Sequence, residues 1–157
     1  MLKDKIVIKP LFEKDLRPYQ GELSEWFYEA YRQNFPHQDL APVLGQQRFE
    51  ALLNYLSHGK AQVLGVLRDK QLLGILWYFI TEANRLHINE LIINQKSRSQ
   101  GLGSLLLESV IAIAEEKECK ALELNVTCHN TVAVALYGKF GFQPERLLMS
   151  KPINDGK

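Results

Sequence analysis

The strongest constraint on what this chain can fold into is a single junction. The stretch Glu90-Leu-Ile-Ile-Asn-Gln-Lys-Ser-Arg98-Ser-Gln-Gly101-Leu-Gly103-Ser-Leu-Leu runs from a strand-like apolar run through a polar loop into a glycine-flanked helix start. Leu102, Leu105, Leu106, Val110, Ile113 and Ala114 then make a continuous apolar stripe at helical spacing. A loop in this position can aim successive backbone N–H groups at one anion, with the positive end of the helix dipole behind them, and glycine lets a phosphate come close. A plain strand-to-helix turn, relieved of strain by glycine, has the same look, and R-x-x-G-x-G alone divides evenly between the two. A dinucleotide fingerprint needs a third glycine where Leu106 stands, and a Walker loop needs Gly-Lys-Ser/Thr, which is absent. Both of those nucleotide folds drop out.

Charge narrows the ligand further. Lys and Arg number 19 against 18 Asp and Glu, a formal net charge of +1, so no basic surplus exists to grip nucleic acid or an anionic membrane. Any anion has to be held by local geometry. Cys119 and Cys128 form no C-x-x-C pair, so neither zinc nor a disulfide scaffold is expected, and no metal is assigned. The polar start and the lack of an apolar run near ~18 residues lead us to expect a soluble, cytoplasmic protein. With 157 residues, 46% hydrophobic and 24% charged, the composition fits one domain over 1–157, with 153–157 a frayed tail.

Around the junction, periodicity predicts the other elements. Residues 5–9 read as a strand that Pro10 keeps from further pairing. Leu23, Trp26, Phe27, Ala30 and Tyr31 mark a helix ended by Phe35-Pro36, and Phe49, Leu52, Leu53 and Leu56 mark a second that closes near His58-Gly59. Runs at 61–67, 72–81 and 86–93 read as strands, the first two joined by a hairpin at 68–71. After the glycine-led helix come a strand at Leu122, Leu124 and Val126, a helix at Ala133, Leu136, Tyr137 and Phe140, and a last strand over about 146–151. A right-handed crossover over 86–126 makes two strands parallel in an otherwise antiparallel sheet. The fold class is α/β (mixed α+β), with six to seven strands and about four helices.

A second pattern follows the junction by about 30 residues: Asn130-Thr-Val-Ala133-Val-Ala-Leu136-Tyr137-Gly-Lys139-Phe-Gly141-Phe142. With Arg98-Ser-Gln-Gly101-Leu-Gly103 before it, the chain resembles the GNAT family of N-acetyltransferases, most closely over residues 86–142. The resemblance implies acetyl-CoA as co-substrate, its diphosphate held by backbone groups of Arg98, Ser99, Gln100, Gly101, Leu102, Gly103 and Ser104. It implies that the strand at Leu91, Ile92 and Ile93 pairs along its edge with the pantetheine arm, with Leu91 N–H placed at the acetyl oxygen. Tyr137 stands where the family often keeps a tyrosine near the CoA sulfur, to protonate the departing thiolate, though it also shares a core stripe with Leu136 and Phe140. Asn130 resembles the family's cofactor-contacting asparagine and equally suits a helix N-cap. Gln95 and Ser99 depart from the commoner proline and glycine without removing a backbone donor.

An alkylammonium of pKa ~10 must lose a proton before it attacks. Glu90 is the expected base: strict alternation gives it a face with Leu86, Ile88 and Ile92, where partial burial raises its pKa and a water relays the proton. A structural ion pair with Arg85 or a lysine competes with that role. His87, on the opposite face unless a bulge intervenes, is the weaker candidate. Residues 22–42 and the 81–85 turn are expected to receive the acceptor, because Glu22, Glu25, Glu29, Asp39 and Glu82 lie among Trp26, Tyr28 and Tyr31, a mixture that can attract a cationic amine or simply form a solvated helix face. Neither cysteine has a base pattern for an acyl-enzyme. The reading is direct transfer in a ternary complex to a small amine. A protein N-terminus or lysine as acceptor, or a non-catalytic acyl-CoA-binding regulator, are the rivals, and a homodimer is compatible with any of them.

Overall fold

A computed structural model describes residues 5–154. Strand β1 (Ile6–Leu11) leads into a one-turn helix, α1 (Glu13–Leu16), and a short 3-10 turn, and then helices α2 (Gln20–Asn34) and α3 (Val43–Ser57) follow. Strands β2 (Gln62–Arg68), β3 (Gln71–Ile80) and β4 (Arg85–Ile93) form an antiparallel meander. Helix α4 (Leu102–Glu116) then crosses to β5 (Ala121–Leu124), and α5 (Thr131–Lys139) closes the order. The β2–β3 hairpin turns at Asp69 and Lys70, both at positive φ (49° and 69°), the two-residue geometry that matches strand twist.

The sheet runs β1-β2-β3-β4-β5, antiparallel except for the parallel β4–β5 pair on either side of α4. This is the expected crossover. Helices α2 and α3 cover one face, where Leu23, Phe27, Phe49 and Leu52 pack against Ile75, Trp77 and Ile92. Helix α4 covers the other, where Leu102, Leu106 and Val110 pack against Leu76, Leu86 and Ile88. Four helices of nine or more residues thus enclose a mixed sheet, as the sequence predicts.

Three expectations need correction. β1 continues through Pro10, in register with Leu64, because an edge strand tolerates a residue that donates no hydrogen bond. Five strands are found among the described residues rather than six to seven: residues 146–151, expected to be a strand, have no regular structure and stand exposed. Alternation along β4 is also broken. Trp77 pairs with Glu90 but Tyr78 with Ile88, so Asn89 is an extra residue and its bulge flips everything beyond it. Glu90 therefore shares a face with Ile92 and Trp77 and not with Leu86 and Ile88.

Candidate active site

The site is built on the second half of β4. Only Arg85–Ile88 pair with β5, through Ala121–Leu124, so residues 89–93 have a strand on the β3 side alone. Asn94 N–H donates to Leu73 O at 2.7 Å, on the β3 side. Since strand N–H and C=O groups alternate in direction, those of Leu91 and Ile93 face the open side. There the Arg98 guanidinium donates from Nε to Ile93 O at 3.2 Å and secures the end of the edge. On the β3 side the sheet is tight: a Cβ on Gly74 would lie 2.6 Å from Ile93 Cδ1 and 2.7 Å from Ile92 O, so only glycine lets β4 sit where it does.

Beyond β4 the loop turns on two left-handed residues, Ser99 (φ 64°) and Gly101 (φ 78°). The first bond into α4 is Leu105 N–H to Gly101 O at 3.1 Å, which leaves the N–H groups of Leu102, Gly103 and Ser104 without intrahelical partners. These donors, with the dipole of a 15-residue helix behind them, fit a diphosphate. Gln100 is turned away, its Oε1 accepting from Arg68 Nη2 at 2.7 Å.

Glu90 and Tyr137 lie on opposite faces of the sheet, Glu90 beside Trp77 and Tyr137 in the cluster that holds Leu91 and Ile93. Glu90 accepts from Arg48 Nη2 at 3.3 Å, and the Arg48 guanidinium lies 4.4 Å over the Trp77 ring. Burial pushes the Glu90 carboxyl above its ordinary range, and Arg48 pulls it back only in part. Tyr137 packs with the α4-side cluster, its ring 5.7 Å from that of Phe142. Burial, with the Glu90 charge adding to it, pushes its phenol up to about 12. The phenol is therefore a neutral donor at any working pH. Asn130 caps α5, its Oδ1 accepting from Ala133 N–H at 3.3 Å.

The bulge at Asn89 brings His87 to the Glu90 face, but His87 lies in the paired half of β4, against Phe79 (5.1 Å) and 3.7 Å from Glu123. Arg85 binds Glu123 at 3.3 Å, not Glu90. Arg48 was missed by the sequence reading, which took only the apolar face of α3; its signal there was one arginine directly before the buried Phe49. A cavity of about 190 Å³ runs between α2 and the end of β4, bordered by Glu25, Trp26 and Glu29 on one side and Ile92, Ile93 and Arg98 on the other. The 81–85 turn sits at the far end of β4, joined to Glu118 and Lys120.

The chain belongs to the Acetyltransferase (GNAT) family, whose signature matches residues 21–142. It is 33% identical over 91 residues to a Bacillus subtilis (strain 168) protein named "Putative ribosomal protein bS18-alanine N-acetyltransferase". That match takes in 57% of this chain and only 58% of the relative's length. Among solved structures, a tetramutant of the BH1408 protein from Bacillus halodurans superposes with a TM-score of 0.77 at 20% identity, covering 94% of this chain and 99% of the other. The PaiA N-acetyltransferase from Thermoplasma acidophilum, in complex with coenzyme A, gives 0.74 at 22% identity, covering 90% and 91%. These structures share the fold. Among the described residues no helix is long and apolar enough to cross a membrane.

Proposed function

We propose that this chain, acting as one catalytic domain, transfers the acetyl group of acetyl-CoA to a primary amine by direct attack. What supports the reading is the unpaired half of β4, with Glu90 on one face and Tyr137 in the cluster that holds Leu91 and Ile93 on the other, next to a helix start with free N–H groups. The pantetheine amide groups take the place of the missing strand along Leu91, Ile92 and Ile93. The diphosphate lies on the backbone of 98–104, with Asn130 alongside as a cofactor contact. Leu91 N–H meets the acetyl oxygen as charge develops on it. Glu90, through water, takes the proton of the ammonium so that nitrogen attacks the carbonyl carbon. As the carbon–sulfur bond breaks, Tyr137 donates a hydrogen bond to the thiolate. A phenol near 12 is a weaker acid than a thiol of ~8.5, so it steadies the leaving sulfur while the proton lost by nitrogen completes the thiol.

The acceptor we favour is a small cationic amine. Glu25 and Glu29, with Trp26 between them in the sequence, border the cavity between α2 and the end of β4, and carboxylates beside an aromatic ring suit a cationic amine. A peptide N-terminus is the second reading, favoured by the name of the Bacillus subtilis relative. Thiol release from acetyl-CoA against a panel of polyamines, aminoglycosides, amino acids and peptides separates them. Turnover with di- and polyamines is expected; turnover with alanine-led peptides alone selects the second reading, and binding of acetyl-CoA with no thiol release from any amine sinks both.

A further inference from the structure

The loop that leads into α4 is held by a residue far from the reacting groups. Arg68 is the last residue of β2, and its guanidinium donates from Nη2 to Gln100 Oε1 at 2.7 Å, across 32 positions of chain. Leu64 and Val66 pack in the layer under α4, so alternation along β2 carries Arg68 to that same side of the sheet. β3 lies between β2 and β4. The bond therefore joins the loop after β4 to a strand that is not β4's neighbour. Little else fixes this part of the loop. Ser99 (φ 64°) and Gly101 (φ 78°) flank Gln100 in the left-handed region, which a residue with a Cβ such as Ser99 keeps only where its surroundings hold it there. Among the described residues no backbone hydrogen bond engages the N–H groups of Ser99, Gln100 or Gly101. A Cβ on Gly101 would meet nothing within 4 Å, so packing does not fix the turn there either. Two arginine side chains supply the ties: Arg98 Nε holds Ile93 O at 3.2 Å, and Arg68 holds Gln100.

We propose that Arg68 is a positioning residue for the cofactor: through Gln100 it keeps the backbone of residues 99–101 in its anion-receiving shape before the diphosphate binds. The role rests on the reading that this loop takes the diphosphate of acetyl-CoA. Left-handed turns with unengaged N–H groups form the concavity that an anion fills. Holding them in place beforehand matters because a loop already ordered gives up less conformational freedom on binding. Arg68 acts at one remove, since its hydrogen bond is spent on the Gln100 side chain while the backbone of the loop meets the ligand. Neither Glu90 nor Tyr137 depends on this tie. Glu90 is set by Arg48 and Trp77, and Tyr137 by its packing with Phe142. The effect of Arg68 therefore falls on cofactor affinity and leaves the chemical step alone.

Calorimetry with acetyl-CoA and thiol-release kinetics on the full-length chain test it together. Arg68→Met is expected to raise the Kd for acetyl-CoA about 10-fold, the low end for loss of a hydrogen bond from a charged donor. Its KM for acetyl-CoA is expected to rise by a similar factor while kcat changes less than about two-fold. Gln100→Met leaves the guanidinium and its charge in place and alters only an exposed side chain, so β2 is undisturbed, and it is expected to cost the same affinity. The double variant is expected to lose about 10-fold in all, not the roughly 100-fold of independent effects. Arg68→Lys is expected to recover part of the loss, because an ammonium still donates. An affinity unchanged in either single variant, or losses that multiply in the double variant, would overturn the role through Gln100. An unaltered chain that binds no acetyl-CoA would instead remove the cofactor reading, and this role with it.

Discussion

The two halves of β4 are made of similar residues and do different things. Arg85–Ile88 have a strand on either side, and their one titratable ring, His87, is held between Phe79 and Glu123. Residues 89–93 have lost β5, and the bulge at Asn89 has reversed their faces, so Glu90 points to α3 while the backbone of Leu91 and Ile93 faces the gap. A fully paired strand has no hydrogen bonds left to offer a ligand. The open half keeps its donors and, at Glu90, holds a carboxylate partly out of water. Pairing on one side and freedom on the other make the second half suited to chemistry and the first to support.

The contrast can be broken most severely at Glu90. Glu90→Gln is expected to lower kcat/KM at neutral pH by roughly 10³-fold, within the range for loss of a general base. Assays near pH 9.5, where more of the amine is already free base, are expected to recover part of the loss. A mutant with an unchanged pH profile would place the base elsewhere. Tyr137→Phe removes the hydroxyl proposed to donate to sulfur but not the packing against Phe142. It is expected to cost about 100-fold in kcat with little change in acetyl-CoA affinity, so kinetics and calorimetry together check it.

Arg48→Met probes the electrostatics of the open half. Glu90 must be ionised to act, so the rate rises with pH through its pKa. Arg48 lowers that pKa, and its removal is expected to move the acidic limb of kcat/KM to higher pH, with Arg48→Lys restoring part of the shift. A limb that stays in place would separate Arg48 from the base. His87→Gln, on the same face but in the paired half, is expected to change kcat less than about three-fold, since its contacts are with Phe79 and Glu123 and not with Glu90. A loss as large as that of Glu90→Gln would erase the distinction between the halves.

Much of this was legible in the chain. The apolar stripe from Leu102 to Ala114, with Gly101 before it, specifies α4 and its anion-ready start, because helix spacing and a left-handed glycine are local properties. Asn130 as cap of α5 was readable for the same reason. Glu90 was singled out as a candidate base but put on the wrong face. A bulge is set by how β3 and β4 twist and pack against each other, and β4's own residues do not announce it. Arg48 was invisible because its meaning lies in a carboxylate 42 positions away. Residues 146–151 have the apolar content of a strand and yet join no ladder, and propensity alone does not decide pairing.

The sequence by itself determined the family, the order of the longer elements from β1 to α5 and the glycine-led start of α4, all properties carried by residues near one another in the chain. It also left a polyanionic ligand compatible with a net charge of +1, since backbone N–H groups are not counted in net charge. Tertiary structure decided where β5 parts from β4, which face Glu90 takes, that Arg48 acts on its charge and that its charge in turn acts on Tyr137. Those outcomes depend on desolvation and on pairings between distant segments, which exist only once the sheet and its two helical layers have closed around the gap.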